Sequence, residues 1–170
     1  MAGQLVQVAT ETVTSAVASV TLTGIDSDDV YMLVFNNLAP ASDGQSPQMR
    51  VTESGTANTT SNYDVAQKRL FADTGFLNSS ATNETRFLGF AGTGNATGEN
   101  ANCIMYLYNF NNASEHSFCT WEGSASAADG NGVGRQGGGV FTSASACDGV
   151  QLFFGSGNIT SGTVTLYKVV

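Results

Sequence analysis

Basic side chains are scarce. Arg50, Lys68, Arg69, Arg86, Arg135 and Lys168 are the whole set in 170 residues, against 14 acidic ones, for a formal charge of −8. None precedes Arg50, and the nearest approach to a cluster is the pair Lys68-Arg69. Proteins that bind nucleic acid or anionic membranes set several Lys and Arg against phosphates, so neither is expected as a partner. Two prolines exclude a collagen-like repeat and a Pro-rich linker. No apolar run approaches the roughly 18 residues that a membrane helix needs. The start, Met1-Ala2-Gly3-Gln4-Leu5-Val6, has neither the basic nor the apolar region of a signal peptide, so synthesis in a reducing cytoplasm without the usual export is expected. Cys103, Cys119 and Cys147 are odd in number, widely spaced and without a C-x-x-C. That excludes zinc spacing and a complete disulfide framework, and leaves small buried thiols as the expectation.

What is present is uncharged polarity around an ample apolar content. Hydrophobic residues make up 41% and charged residues only 12%, half the usual share of roughly 25%. Gly (20), Thr (19), Ser (17) and Asn (14) total 70 residues, so they must supply most of the surface. Ten Phe argue against disorder. The length is that of one domain, and residues 1–170 are taken as one.

Apolar residues recur with period two rather than 3.6. Val20 and Leu22 alternate with Ser19, Thr21 and Thr23 as on a half-buried strand. Val30 to Phe35 is apolar on both parities, the pattern of a central strand covered on both faces, and Asn36-Asn37 ends it. Met49 and Val51, Arg86 to Phe90, Cys103 to Tyr108, Ser117 to Trp121, Gln151 to Phe154 and Gly162 to Val169 are further strands. Asn62 to Phe71 is expected to be a strand with a short helical turn. The stretches Gly123–Gly139 and Gly155–Ser161 are expected to be a long loop and a compact turn. About ten strands with regular turn signals predict an all-β fold, a single-domain jelly-roll-like antiparallel β-sandwich.

Reactive constellations are thin. His116, the single histidine, has Glu115 beside it and Cys119 three residues on, but strand residues three apart face opposite ways. No G-x-S-x-G elbow occurs. Glu115 and Glu122 fall at the two ends of one strand, too far apart to flank a glycosidic bond. Asp26, Asp28 and Asp29 form a hard-oxygen cluster, the place where a cation such as Ca²⁺ would sit if one is held, though a solvated turn is the expectation. Asp129-Gly130-Asn131-Gly132 opens like a calcium loop and then fails, with Val133 and Val140 where oxygen ligands belong. Gly92 to Gly98 is one residue out of the dinucleotide pattern, and Arg135-Gln136-Gly137-Gly138-Gly139 has no Walker lysine. N-x-S/T sequons begin at Asn58, Asn78, Asn83, Asn95, Asn112 and Asn158, and without secretion they are loop composition. Trp121, Tyr106, Tyr108 and Phe118 are expected in the core, with a sugar-stacking platform as the alternative. No catalytic, cofactor or metal residue is assigned, and the chain is not expected to be an enzyme. A surface poor in Lys and Glu is instead what a protein shows when much of its exterior is interface.

Both ends resemble something known. Val17-Ala18-Ser19-Val20-Thr21-Leu22-Thr23-Gly24-Ile25-Asp26 leads into Asp29 to Gly44, then Met49 to Gly55 and Ser61-Asn62-Tyr63-Asp64. The close is Gly155-Ser156-Gly157-Asn158-Ile159-Thr160-Ser161-Gly162-Thr163-Val164-Thr165-Leu166-Tyr167. Over residues 13–70 and 140–170 the chain resembles small virion structural proteins of tailed bacteriophages, especially those of marine cyanobacteria, and C-terminal domains of tail fibres. It differs at Lys168, where the familiar ending continues with Gly. The resemblance implies a non-enzymatic virion protein and a β-sandwich that trimerises. A knob-like capsid decoration or cement protein outside the head is expected, with the major capsid protein or neighbouring virion proteins as partners. A tail-associated fibre or adhesin binding host surface glycans is the alternative.

Overall fold

The computed structural model describes residues 3–90 and 92–170, and among them every regular element is a strand. In chain order these are β1 (Leu5–Val13), β2 (Ser19–Thr23), β3 (Tyr31–Pro40), β4 (Pro47–Glu53), β5 (Thr56–Ala57), β6 (Tyr63–Phe71), β7 (Gly75–Glu84), β8 (Ala101–Tyr108), β9 (Ser117–Ser126), β10 (Gly132–Phe141), β11 (Gly149–Phe154) and β12 (Ile159–Val169). One antiparallel sheet has eight strands in the order β1-β12-β3-β8-β9-β10-β6-β7, and a second has four in the order β2-β11-β4-β5. The fold is thus the expected all-β, jelly-roll-like sandwich.

Period-two alternation puts one parity of each strand into a shared core. Val20 and Leu22 on β2, Met49 and Val51 on β4, and Val150, Leu152 and Phe154 on β11 face inward from the small sheet. Tyr31, Leu33 and Phe35, Cys103, Met105 and Leu107, and Val164 and Leu166 meet them from the large one. The thiols of Cys103, Cys119 and Cys147 are free and buried, as expected. Burial pushes all three above the ordinary thiol range.

The glycine-rich stretch is not a loop. Residues 123–126 finish β9 and residues 132–139 build most of β10, which pairs with β9 on one side and β6 on the other. The glycines are there for space. A Cβ on Gly139 would lie 2.7 Å from two ring carbons of Phe87, and one on Gly137 would lie 2.8 Å from Cζ2 of Trp121. Phe87 stands edge-on to Tyr63 at 4.9 Å between centroids, Tyr63 packs on Phe141 at 4.8 Å, and Phe90 stands edge-on to Trp121 at 5.1 Å. These geometries suit the aromatic quadrupole, and they exist because β10 presents bare backbone beneath the rings.

Other boundaries also differ from expectation. Asn62 to Phe71 contains no helical turn: Tyr63 onward is strand, zipped between β10 and β7. Asn36-Asn37 does not end β3 but forms an irregularity in its pairing, with Asn37 at φ +54, and β3 runs on to Pro40. Only Gly155 to Asn158 turn; Ile159 already pairs with Pro40. Arg86 to Phe90 is not a strand: it meets β4 through the bridge Phe87 to Met49 and through the Phe90 N–H, which donates to the Pro47 carbonyl at 3.1 Å, with Gly89 at φ +55 interrupting the extended path between them.

The packing on β10 is directly testable. Gly139→Ala should lower stability by about 1–3 kcal/mol, the usual cost of overfilling a packed core. Gly132→Ala, whose Cβ would meet only Ala72 at 3.9 Å, should change it by under ~0.5 kcal/mol. Denaturant melts of the two variants read the difference, and equal shifts would refute the role given to the rings.

Candidate interaction surface

The outward parity of the large sheet is the feature that the fold leaves uncovered. Tyr106 is register partner to Thr120 and Tyr108 to Phe118, so these side chains share the outer face, flanked by Val34 and Ile104. Ile104, Tyr106 and Phe118 are 49%, 41% and 42% exposed, where alternation leaves them no second layer to bury against. Gly138 leaves the surface of β10 low beside Phe118. Three shallow depressions lie on this face, of about 550, 560 and 560 Å³, beside Ile104 and Tyr106, beside Phe118 and Val140, and beside Val34 and Leu70.

This face carries little free charge. Across β8, β9, β10 and β6 its charged side chains are Glu122, Lys68 and Asp64, and each is engaged. Glu122 accepts from the Gln136 amide, Asp64 accepts from the Asn83 backbone N–H at 2.8 Å, and the Lys68 ammonium lies 4.6 Å over the Phe76 ring.

Among the described residues, no strand pairs with either lateral edge of the sheet. Strand β1 exposes Leu5 and Val6, and β7 exposes Phe76 and Leu77. An edge strand offers unpaired N–H and C=O groups, which natural proteins usually guard with lysine, proline or a short strand. Strand β7 is ten residues long with no basic residue and no proline. Strand β1 has nine, likewise with neither.

The residues singled out in the sequence separate in space. Asp26 and Asp29 close around Lys168, whose Nζ lies 3.7 and 2.8 Å from their carboxylates and 2.7 Å from the Ser27 hydroxyl. The Tyr31 hydroxyl donates to Asp26 at 2.9 Å. Asp28 turns away and accepts from Asn112 at 2.9 Å. The ammonium therefore stands among the carboxylates where a cation was considered. The Tyr31 hydrogen bond and then Lys168 hold Asp26 below the ordinary carboxylate range, hydrogen bonds from Lys168 and Ser27 do so for Asp29, and Asp29 raises Lys168 in turn. Lys168 is thus the counter-ion of this turn.

His116 is exposed just before β9, whereas Cys119 is buried on the core side, so the two do not meet. Trp121 lies in the core as expected. Tyr106 and Phe118 do not, and with Tyr108 they line the outer face; strand parity, which sets Trp121 opposite Phe118, was the available signal. Asp129 accepts from the backbone and side chain of Asn131 at 3.0 and 3.1 Å in a local turn. Gly92 to Gly98 leads into β8 rather than a helix.

One pair escaped the sequence reading. Arg69 on β6 and Arg135 on β10 are register partners on the same face. The signal was hidden because their apposition depends on β10 being a strand. Burial first, and then the neighbouring Arg69 charge, push Arg135 down to about 10.

Compared with protein-family models and with curated proteins, the chain matches none.

The Asp26–Asp29–Lys168 contacts predict a pH profile. Carboxylates held below their ordinary 3.8 contribute stability that is present above that pH and lost as pH falls through the lowered values. Lys168, raised above its ordinary 10.5, contributes stability that is present below that pH and lost only as pH rises beyond it. Lys168→Met should therefore melt below wild type across neutral pH. The deficit should shrink once pH falls under 3.8. A deficit of constant size down to about pH 2 would assign the effect to packing of the lysine stem instead.

Proposed function

We propose that this chain is a non-enzymatic structural protein of a tailed-phage virion, a knob-like decoration or cement protein on the outside of the head. Its partners are the major capsid protein or neighbouring virion proteins, and it is made in the host cytoplasm before assembly. The observation that carries the reading is the outer face of the large sheet: exposed Ile104, Tyr106 and Phe118, little free charge, and two unguarded edges beside it. Aromatic residues on a face depleted of free Lys and Glu have the composition of an interface core. The resemblance over residues 13–70 and 140–170 supports a virion role, and the net charge of −8 suits a surface turned away from packaged genome.

The reading includes a homotrimer. Edges β1 and β7 differ, so a contact of β7 with the β1 edge of the next copy is heterologous, and such contacts close into a ring when the rotation permits. Strand addition of this kind joins backbone to backbone and needs no salt bridge. The outer face then remains for the shell.

Two measurements test this. The isolated protein should run in solution at three times its 17.6 kDa chain mass, and Leu77→Lys should reduce it to the monomer without lowering its melting temperature. A monomeric wild type would overturn the trimer. Binding to purified shells should survive ~1 M salt, where exposed charges are screened within about 3 Å, and Phe118→Ala should weaken it about tenfold or more. Loss of binding in salt, or no response to Phe118→Ala, would refute the proposed contact. Adsorption to host cells without shell binding would favour the tail adhesin.

A further inference from the structure

Between the turn at Gly44 to Ser46 and strands β6 and β10 lies a cavity of about 310 Å³, at the low end of the roughly 300–1,000 Å³ of small-molecule sites. Arg69 and Arg135 stand in it side by side. In a chain of net charge −8, two adjacent guanidiniums would be expected to draw carboxylates, yet among the described residues neither makes an ion pair. Arg135 donates to the Gly89 carbonyl at 2.8 Å and weakly to the Ser46 hydroxyl at 3.4 Å. The Arg69 guanidinium lies 5.0 Å over the Phe71 ring, and its Nε is buried without a partner. Nearby acids are occupied: Asp129 by Asn131, Asp43 by the Gly44 and Asn95 N–H groups, Glu99 by the Ala96 N–H.

Holding two like charges together with donors unfilled is costly, and an anion between them removes both costs. The planar forks of arginine match the two oxygens of a carboxylate. The rest of the lining narrows the choice. Phe71 and Val133 form an apolar wall for a ligand body, and Ser46 and Asp129 line the same space, Asp129 with acceptor capacity left beyond its two bonds from Asn131. Phosphate would engage the guanidiniums but has no ring to lay against Phe71 and Val133.

We propose that the Arg69–Arg135 cavity binds a sugar acid of the hexuronate class, its carboxylate on the two guanidiniums, its ring against Phe71 and its hydroxyls on Asp129 and Ser46. The site lies on the core-side parity of β6 and β10, and its occupancy does not depend on where in a virion the chain resides. Calorimetric titration of the full chain with glucuronate, glucose and inorganic phosphate tests it. Glucuronate should bind saturably, and both other probes at least about tenfold more weakly, as expected when charge-assisted bonds are lost. Arg69→Gln should weaken glucuronate about tenfold while leaving the fold intact, since among the described residues the Arg69 side chain makes no hydrogen bond, only the stack on Phe71. Arg135→Lys should weaken it as well; if that variant fails to fold for want of the Gly89 contact, Arg69→Gln still decides. Equal affinity for glucose, tighter binding of phosphate, no saturable glucuronate binding, or undiminished binding by Arg69→Gln would each overturn the assignment.

Discussion

Two aromatic rings rest almost directly on the backbone of one strand, and the sandwich is arranged around that approach. Phe87 and Trp121 occupy the volume that side chains at Gly139 and Gly137 would otherwise fill. Packed sheets lie about 10 Å apart, and rings of this size fit beneath β10 only where it carries no Cβ. From there the packing propagates, Phe87 to Tyr63 to Phe141 on one side and Trp121 to Phe90 to Phe35 on the other. The same approach draws the segment from Arg86 to Phe90 over the strand, which brings the Gly89 carbonyl to the Arg135 guanidinium. The arginine cavity is thus a by-product of how the core closes.

With so few charges, those present are mostly held by specific partners. Lys168 locks the turn that Asp26, Ser27 and Asp29 form around the Tyr31 hydroxyl, and Arg50 stacks over Phe153 at 4.4 Å on the outside of the small sheet. Hydroxyls take over roles that ion pairs fill elsewhere, as where Thr10 meets Thr165 at 2.9 Å and Thr12 meets Thr163 at 3.2 Å between β1 and β12. Arg69 and Arg135 stand out against this pattern, and the outer face conforms to it: its carboxylates and its ammonium are turned to local partners, which leaves aromatic and aliphatic surface to meet whatever covers it.

The fold class was legible because alternation is a local property. Val20 with Leu22, Met49 with Val51, and Cys103 with Met105 and Leu107 each declare a face without reference to the rest of the chain. Strands β10 and β7 were not legible. A strand made of glycines is recognisable only from the rings that need the room, and those rings lie some fifty residues earlier, at Phe87, or on the neighbouring strand, at Trp121. Strand β7, with Asn, Ser and Thr through its centre, has no apolar parity because the small sheet does not reach it. The interaction face was partly visible, since parity separates Phe118 from Trp121, but core packing was the stronger expectation for both. The Arg69–Arg135 pair required the β6–β10 register, which no local pattern states.

The pairing of β1 with β12 has a consequence for how the molecule comes to exist. Thr10 and Thr165, hydrogen-bonded across that pair, are 155 positions apart, and β12 is also the neighbour that covers one side of β3. Strand β3 therefore lacks its β12 flank until residues 159–169 have been made, while the β8-β9-β10 meander can zip as it appears. Such long-range closure is slow relative to local pairing. Strand β3 is open to wrong association over that interval, and the eleven-residue β12 is the clasp that ends it.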